Sequence, residues 1–249
     1  MALAVNTPDH LRGLGLLPDS NSSSVETVVV RGREVSRDDL GYLFHVALDK
    51  LTFLPFAYVM DQWRWSLFTG EVPDQDINSY WWSLREQLQG IRSPVNTSEQ
   101  DFHPGQDCLT MTSKFHALAC KVLIKKFNIL GAKYHIPANV PYIRYFVSYV
   151  VQFQMYEALC LESGQYDPQD PGKPLYLCDF SLGAAETGQL IREMMSAGFS
   201  QPWQQALQQL TGDPHMSAAS FIRYFLPLYD YLEQENQENG VCVGWGDDC

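Results

Sequence analysis

The chain of 249 residues has six histidines, at positions 10, 45, 103, 116, 135 and 215, but none is followed by glutamate and no two stand four apart. It therefore lacks H-E-x-x-H, the pattern that holds zinc on one helical face with a glutamate as general base. Basic residues are also scarce, with 17 lysines and arginines against 29 acids and a formal net charge of −12. That balance excludes nucleic acid as the expected partner, because phosphate contacts need clustered cations. It describes an acidic, solvated surface instead. No apolar run reaches about eighteen residues, so no transmembrane span is expected. The first residues lack the charged region and apolar core of a signal peptide.

What is present points to helices. The chain is 45% hydrophobic and 13% aromatic, enough for a substantial core. Ser36 with Asp39 forms a helix start, and the helix over 40–69 should bend at Pro55 and stop at Gly70. Further helices are predicted over 75–89, ending at Gly90, and over 141–163. Another runs from Leu182 to Ala197, closed by Gly198, with Leu190, Ile191, Met194 and Met195 inward. Ser200 should cap the next, with Trp203, Ala206, Leu207 and Leu210 on its apolar face up to Gly212. The last begins at Ser217 and carries Phe221, Tyr224, Phe225, Leu228 and Leu232 toward Gly240, with a kink at Pro227. Only residues 25–32 read as a strand. The fold class is all-α, and for Trp63, Trp65 and Trp82 core packing is the expected role.

The richest stretch is 133–160, KYHIPANVPYIRYFVSYVVQFQMYEALC. Lys133 and His135 are two apart and share a face if the backbone is extended. Pro141 suits a first helical turn. Tyr142 and Tyr145, three apart on that helix, share a face while Arg144 points elsewhere. A cation, an imidazole and two phenols gathered in this way can hold a carboxylate and steady an oxyanion.

This block resembles the angiotensin-converting enzyme family of zinc dipeptidyl carboxypeptidases. So do MALAVNTPDHL at the start, ALDKLTFLPFAYVMDQWRW at 47–65, YWWSLREQLQG at 80–90, SAGFSQPWQQAL at 196–207 and ENQENGVCVGW at 235–245. The resemblance implies that residues 1–249 are the C-terminal part of a single, large, two-lobed helical peptidase domain with a deep cleft. The opening resembles the segment just after the family's third zinc ligand. Either the chain is a fragment of an active peptidase, or it is a short product without catalytic zinc. In both cases the isolated chain is expected to be inactive.

The resemblance also implies roles for particular residues. Lys133 and Tyr142 would grip the C-terminal carboxylate of a peptide, with Phe53, Asp49 and Tyr149 around the pocket for its last side chain. His135 and Tyr145 would stabilise the tetrahedral oxyanion. Arg144, and Trp81 with Arg85, match chloride-binding positions; pairing of Arg144 with an acidic neighbour is the other reading. Zinc is implied for the complete domain, with ligands outside this chain. Cys160 and Cys178 occupy the places of a disulfide. An extracellular location, secreted or anchored, is implied, and the sequons at Asn21 and Asn96 agree with it.

Residues 106–131, QDCLTMTSKFHALACKVLIKKFNILG, depart from the family pattern. They hold four of the seven lysines and two of the six cysteines. Over 113–130 they fit a basic amphipathic helix suited to a membrane surface or a partner, or else a retained intron. Three functions therefore stand open: part of a peptidase, a metal-free peptide-binding module, or a membrane-associated interaction protein.

Overall fold

The computed structural model describes residues 3–17, 26–93, 96, 98, 134–136, 138–180 and 185–245. The predicted helix over 113–130, the departure at 106–131, Lys133 and Asn21 lie outside these. The elements are α1 (Pro8–Gly13), β1 (Thr27–Val30), β2 (Arg33–Ser36), α2 (Arg37–Phe68), α3 (Ile77–Gln89), α4 (Ile143–Glu162), α5 (Ala185–Ala197), α6 (Trp203–Thr211) and α7 (Ala219–Glu238). Helix dominates, as the sequence requires. The chain divides into two compact units, one of residues 1–48 and 148–241, the other of residues 49–147 and 242–249.

In the first unit the core joins α4 to α7. Phe221, Tyr224, Phe225 and Leu228 are buried at the predicted i, i+3, i+4, i+7 spacing. They meet Phe153 at ring separations of 5.0 Å for Phe221, 4.9 Å for Tyr224 and 5.5 Å for Phe225. Leu232, predicted inward, is exposed one turn further on. Phenols inside this core find partners: Tyr42 and Tyr224 share a hydrogen bond of 3.3 Å, and Tyr156 donates to the Cys178 carbonyl at 2.5 Å. Burial pushes the hydroxyls of Tyr42, Tyr156 and Tyr224 above the ordinary phenol range. Cys160 and Cys178 form the expected disulfide, with Cα atoms 6.0 Å apart. Glu157 of α4 takes two hydrogen bonds from Arg223 of α7, at 2.8 and 2.6 Å.

The predicted strand proves to be half of an antiparallel hairpin, β1 pairing with β2 from Thr27↔Ser36 to Val30↔Arg33. Arg31 and Gly32 make the two-residue turn with φ of 46° and 79°, the geometry that matches strand twist. Arg31 also reaches α7, pairing with Asp230 at 3.0 Å and with Glu233. The second strand, REVS, is polar and gives no apolar alternation to read. The expected cap at Ser36 survives in part. Its hydroxyl accepts from the Asp38 N–H at 3.2 Å, whereas Asp39 accepts from the Tyr176 hydroxyl at 3.4 Å.

Other helix starts differ from expectation. The α6 cap is Pro202, not Ser200, and Ser200 instead donates to the Ala197 carbonyl at 2.5 Å. The α7 cap is Ala218, with the Ser217 hydroxyl accepting from the Ala219 N–H at 3.2 Å. On α5 the buried side chain is Thr187, and Met195 is 67% exposed. On α6, Leu207 and Leu210 are buried while Trp203 is exposed.

In the second unit the C-terminal part of α2 packs on α3. Ala57, Val59, Met60 and Trp63 bury against Trp81, Leu84, Ile136 and Tyr142. The Trp63 and Trp81 rings meet edge-on at 5.8 Å. Trp82 is half-buried, as core packing predicts, but Trp65 is 54% exposed and lies under the Arg64 guanidinium at 5.1 Å. Helix α2 runs through Pro55, and by length and composition it would reach across a membrane, with mean hydropathy 1.3 over eighteen residues. That averaged hydropathy was not legible as an uninterrupted apolar run. Helix α3 ends at Gly90, φ +66°, where a Cβ would stand 2.8 Å from the Trp245 ring.

Candidate functional site

The site is built where the turn before α4 meets the first turn of that helix. Residues 134–136 form a turn, not the extended segment expected for His135. The turn closes through Ala138 N–H to the Tyr134 carbonyl at 3.0 Å and Val140 N–H to the His135 carbonyl at 2.8 Å. Helix α4 starts at Ile143, so Pro141 stands just before it and not in its first turn. Tyr145 N–H bonds the Tyr142 carbonyl at 3.0 Å, which sets both phenols on one face as predicted.

Three side chains converge there. His135 Nε2 lies 2.9 Å from the Tyr145 hydroxyl. The Tyr142 ring is 4.8 Å from the His135 ring and 4.8 Å from that of Tyr145. Tyr142 is only 4% exposed, and Phe53 and Phe56 pack near it at 6.3 and 6.0 Å. With the proton on Nε2, the imidazole donates to Tyr145, leaving the phenol's own O–H to point at a ligand. A phenol donor oriented in this way suits a carbonyl or an oxyanion.

Two residues that sequence reasoning passed over carry this arrangement. Asp61 and Arg64, each 3% exposed, face one another on α2, with Arg64 Nη1 3.4 Å from Asp61 Oδ1. The same carboxylate oxygen accepts from the Tyr142 N–H at 2.9 Å. Arg64 Nη2 donates to Asn139 Oδ1 at 2.6 Å. The only trace in the sequence is D-x-x-R inside a helical stretch, a spacing that also describes ordinary solvent-facing pairs.

Other predicted residues are placed as follows. Arg144 is exposed. Trp81 is buried, and the Arg85 guanidinium lies over its ring at 5.6 Å and over Phe56 at 5.7 Å. Arg85 Nε is buried with no hydrogen-bond partner among the described residues, and burial lowers the guanidinium's affinity for its proton. Asp49 is exposed and pairs with Lys50 at 2.6 Å. Tyr149 is half-buried and belongs to the first unit. Asn96 is exposed. Among the described residues, no three of His, Cys, Asp and Glu stand close enough to hold a metal ion. The described residues therefore offer zinc no ligand set. A cavity of about 470 Å³ in the second unit, lined by Ser66, Glu71, Asp76 and Tyr80 among others, shares no residue with the His135 cluster.

The sequence of the chain matches a family of peptidases. The chain belongs to the angiotensin-converting enzyme family: a family model of that description matches residues 1–127 and 124–245. It is 39% identical to angiotensin-converting enzyme of Mus musculus over 98% of this chain and 15% of the relative. It is 35% identical to angiotensin-converting enzyme-like protein Ace3 of the same species, over 99% of this chain and 27% of the relative. The enzyme of Theromyzon tessulatum is also 35% identical, over 98% of this chain and 33% of that protein. The chain thus spans a third or less of the length of these relatives.

Proposed function

We propose that this chain supplies the substrate-recognising side of a peptidyl-dipeptidase site, the activity that removes dipeptides from peptide C-termini. The observation that carries the reading is the His135 Nε2 to Tyr145 hydroxyl bond of 2.9 Å beside the Tyr142 ring. Tyr142 with Lys133 holds the terminal carboxylate, since both are donors and the contact measures distance from the chain end. Tyr145, oriented by His135, donates to the adjacent carbonyl. Phe53 and Asp49 shape the pocket for the last side chain. Zinc, which would activate the attacking water, requires ligands beyond those described, so the chain alone does not hydrolyse peptides. Arg85 over Trp81, with its buried Nε, supports an anion such as chloride there, and Arg144 takes a second. The complete protein is extracellular, secreted or anchored, with glycans at Asn21 and Asn96.

Calorimetric titration of the purified chain with a tripeptide, as free acid and as C-terminal amide, tests the reading. The free acid is expected to bind at least tenfold more tightly, because a charge-assisted contact is lost in the amide, a difference of about 1.4 kcal/mol. Equal affinities would reject carboxylate recognition. Release of dipeptides by the chain alone would reject its inactivity.

A further inference from the structure

We propose that Arg64 is a positioning residue that fixes His135 against Tyr142 and Tyr145, an inference that rests on the peptide-binding reading above. The two halves of the site come from separate pieces of chain: the turn of residues 134–136 and 138–140 carries His135, while Tyr142 stands just before α4 and Tyr145 lies in its first turn. Each half hangs from one member of the same i,i+3 pair on α2. Asp61 holds the α4 start through the Tyr142 N–H at 2.9 Å. Arg64 holds the turn through Asn139 Oδ1 at 2.6 Å. Asp61 and Arg64 are themselves joined at 3.4 Å. Helix α2 therefore acts as the common ruler for the distance between the imidazole and the phenols.

Asn139 shows why the attachment is specific. Its φ is 53°, a left-handed conformation in which glycine is the least strained residue. Its N–H is already used by the Ile136 carbonyl at 3.1 Å, so the turn itself does not need the side chain. What the amide adds is an acceptor for Arg64. A guanidinium donor makes this a charge-assisted bond. The arginine is also fixed sideways, over the Trp65 and Phe68 rings at 5.1 and 5.3 Å. Little freedom is left for it to follow a displaced turn.

Asn139→Gly isolates the effect, because glycine accepts the same φ and only the acceptor disappears. Two readouts are taken on the full chain: the ¹⁵N chemical shift of His135 Nε2, and affinities for the free-acid and amidated tripeptides. Asn139→Gly should move the Nε2 resonance and weaken free-acid binding about tenfold, the worth of one lost charge-assisted bond. Amide binding should weaken by a similar factor, because the carbonyl held at Tyr145, which His135 orients, is present in both ligands. Asn139→Asp, which retains an acceptor for Arg64, should restore both. An unchanged Nε2 resonance in Asn139→Gly would overturn the proposal, as would free-acid binding weakened with amide binding intact. Should the native chain fail to prefer the free acid, carboxylate recognition is wrong. The Nε2 resonance then still decides the role of Arg64.

Discussion

Asp61 and Arg64 stand one helical turn apart, both buried, and between them they hold the backbone of Tyr142 and the side chain of Asn139. Removing one partner of a buried ion pair leaves the other charge desolvated. Arg64→Met should therefore destabilise the chain by about 3–5 kcal/mol in urea unfolding. Adding Asp61→Asn should recover a good part of that loss, since a neutral amide oxygen still accepts from the Tyr142 N–H. Losses that merely add would argue against the pairing.

The His135–Tyr145 bond is partly exposed to solvent, so its removal should be mild. Tyr145→Phe is expected to cost about 1 kcal/mol of stability by the same measurement. It should also move the His135 Nε2 resonance, which the hydroxyl contact sets. A loss several-fold larger would mean that Tyr145 chiefly supports the core.

Alkaline pH should unfold the first unit. Burial raises the folded-state pKa of Tyr224, Tyr156 and Tyr42 above the unfolded value of about 10. The stability this contributes is complete below pH 10 and is lost as the pH rises beyond it, because the unfolded chain releases those protons first. Tyr224→Phe should flatten the fall in urea midpoint between about pH 9 and 11. An unchanged slope would point to lysine or arginine contacts instead.

Reduction of Cys160–Cys178 opens a loop with a sequence separation of 18. The chain-entropy estimate gives about 3 kcal/mol lost. A Cys160→Ser, Cys178→Ser double variant should show it as a lower urea midpoint. Because Cys242 is also disulfide-bonded, the native chain in dithiothreitol should fall at least as far as that variant.

Gly90→Ala places a methyl group at φ +66° and against Trp245. The left-handed conformation alone costs about 1–2 kcal/mol. Displacing Trp245 also breaks its indole N–H bond to the Gln87 carbonyl at 3.3 Å. A red shift of tryptophan emission without loss of helical circular dichroism is the expected signature.

The glycine stops were legible because a left-handed residue is a local requirement: Gly70, Gly90, Gly198 and Gly212 all have positive φ where helices were expected to end. The convergence of Tyr142 and Tyr145 was legible because three residues along a helix fix a shared face. The His135 turn was not, since Lys133 and His135 read as alternating strand residues while the closing bonds come from carbonyls. Asp61 and Arg64 were invisible for a different reason. Burial of an ion pair depends on what packs over it, and that is tertiary information. Trp65 and Met195 fail in the opposite sense: their apolar side chains predicted a core face, yet both are largely exposed.

The Arg31 turn gives the hairpin an anchor of mixed character. Val30 is buried, a contact indifferent to ions in solution, while Arg31 meets Asp230 and Glu233 at the surface. Surface pairs contribute about 1 kcal/mol or less and weaken as the Debye length shrinks from about 10 Å at 0.1 M salt to about 3 Å at 1 M. The hairpin is thus held by an apolar rivet and an ionic latch. Brine loosens only the latch, so the strands should become more accessible to proteases in strong salt well before the helices beneath them let go.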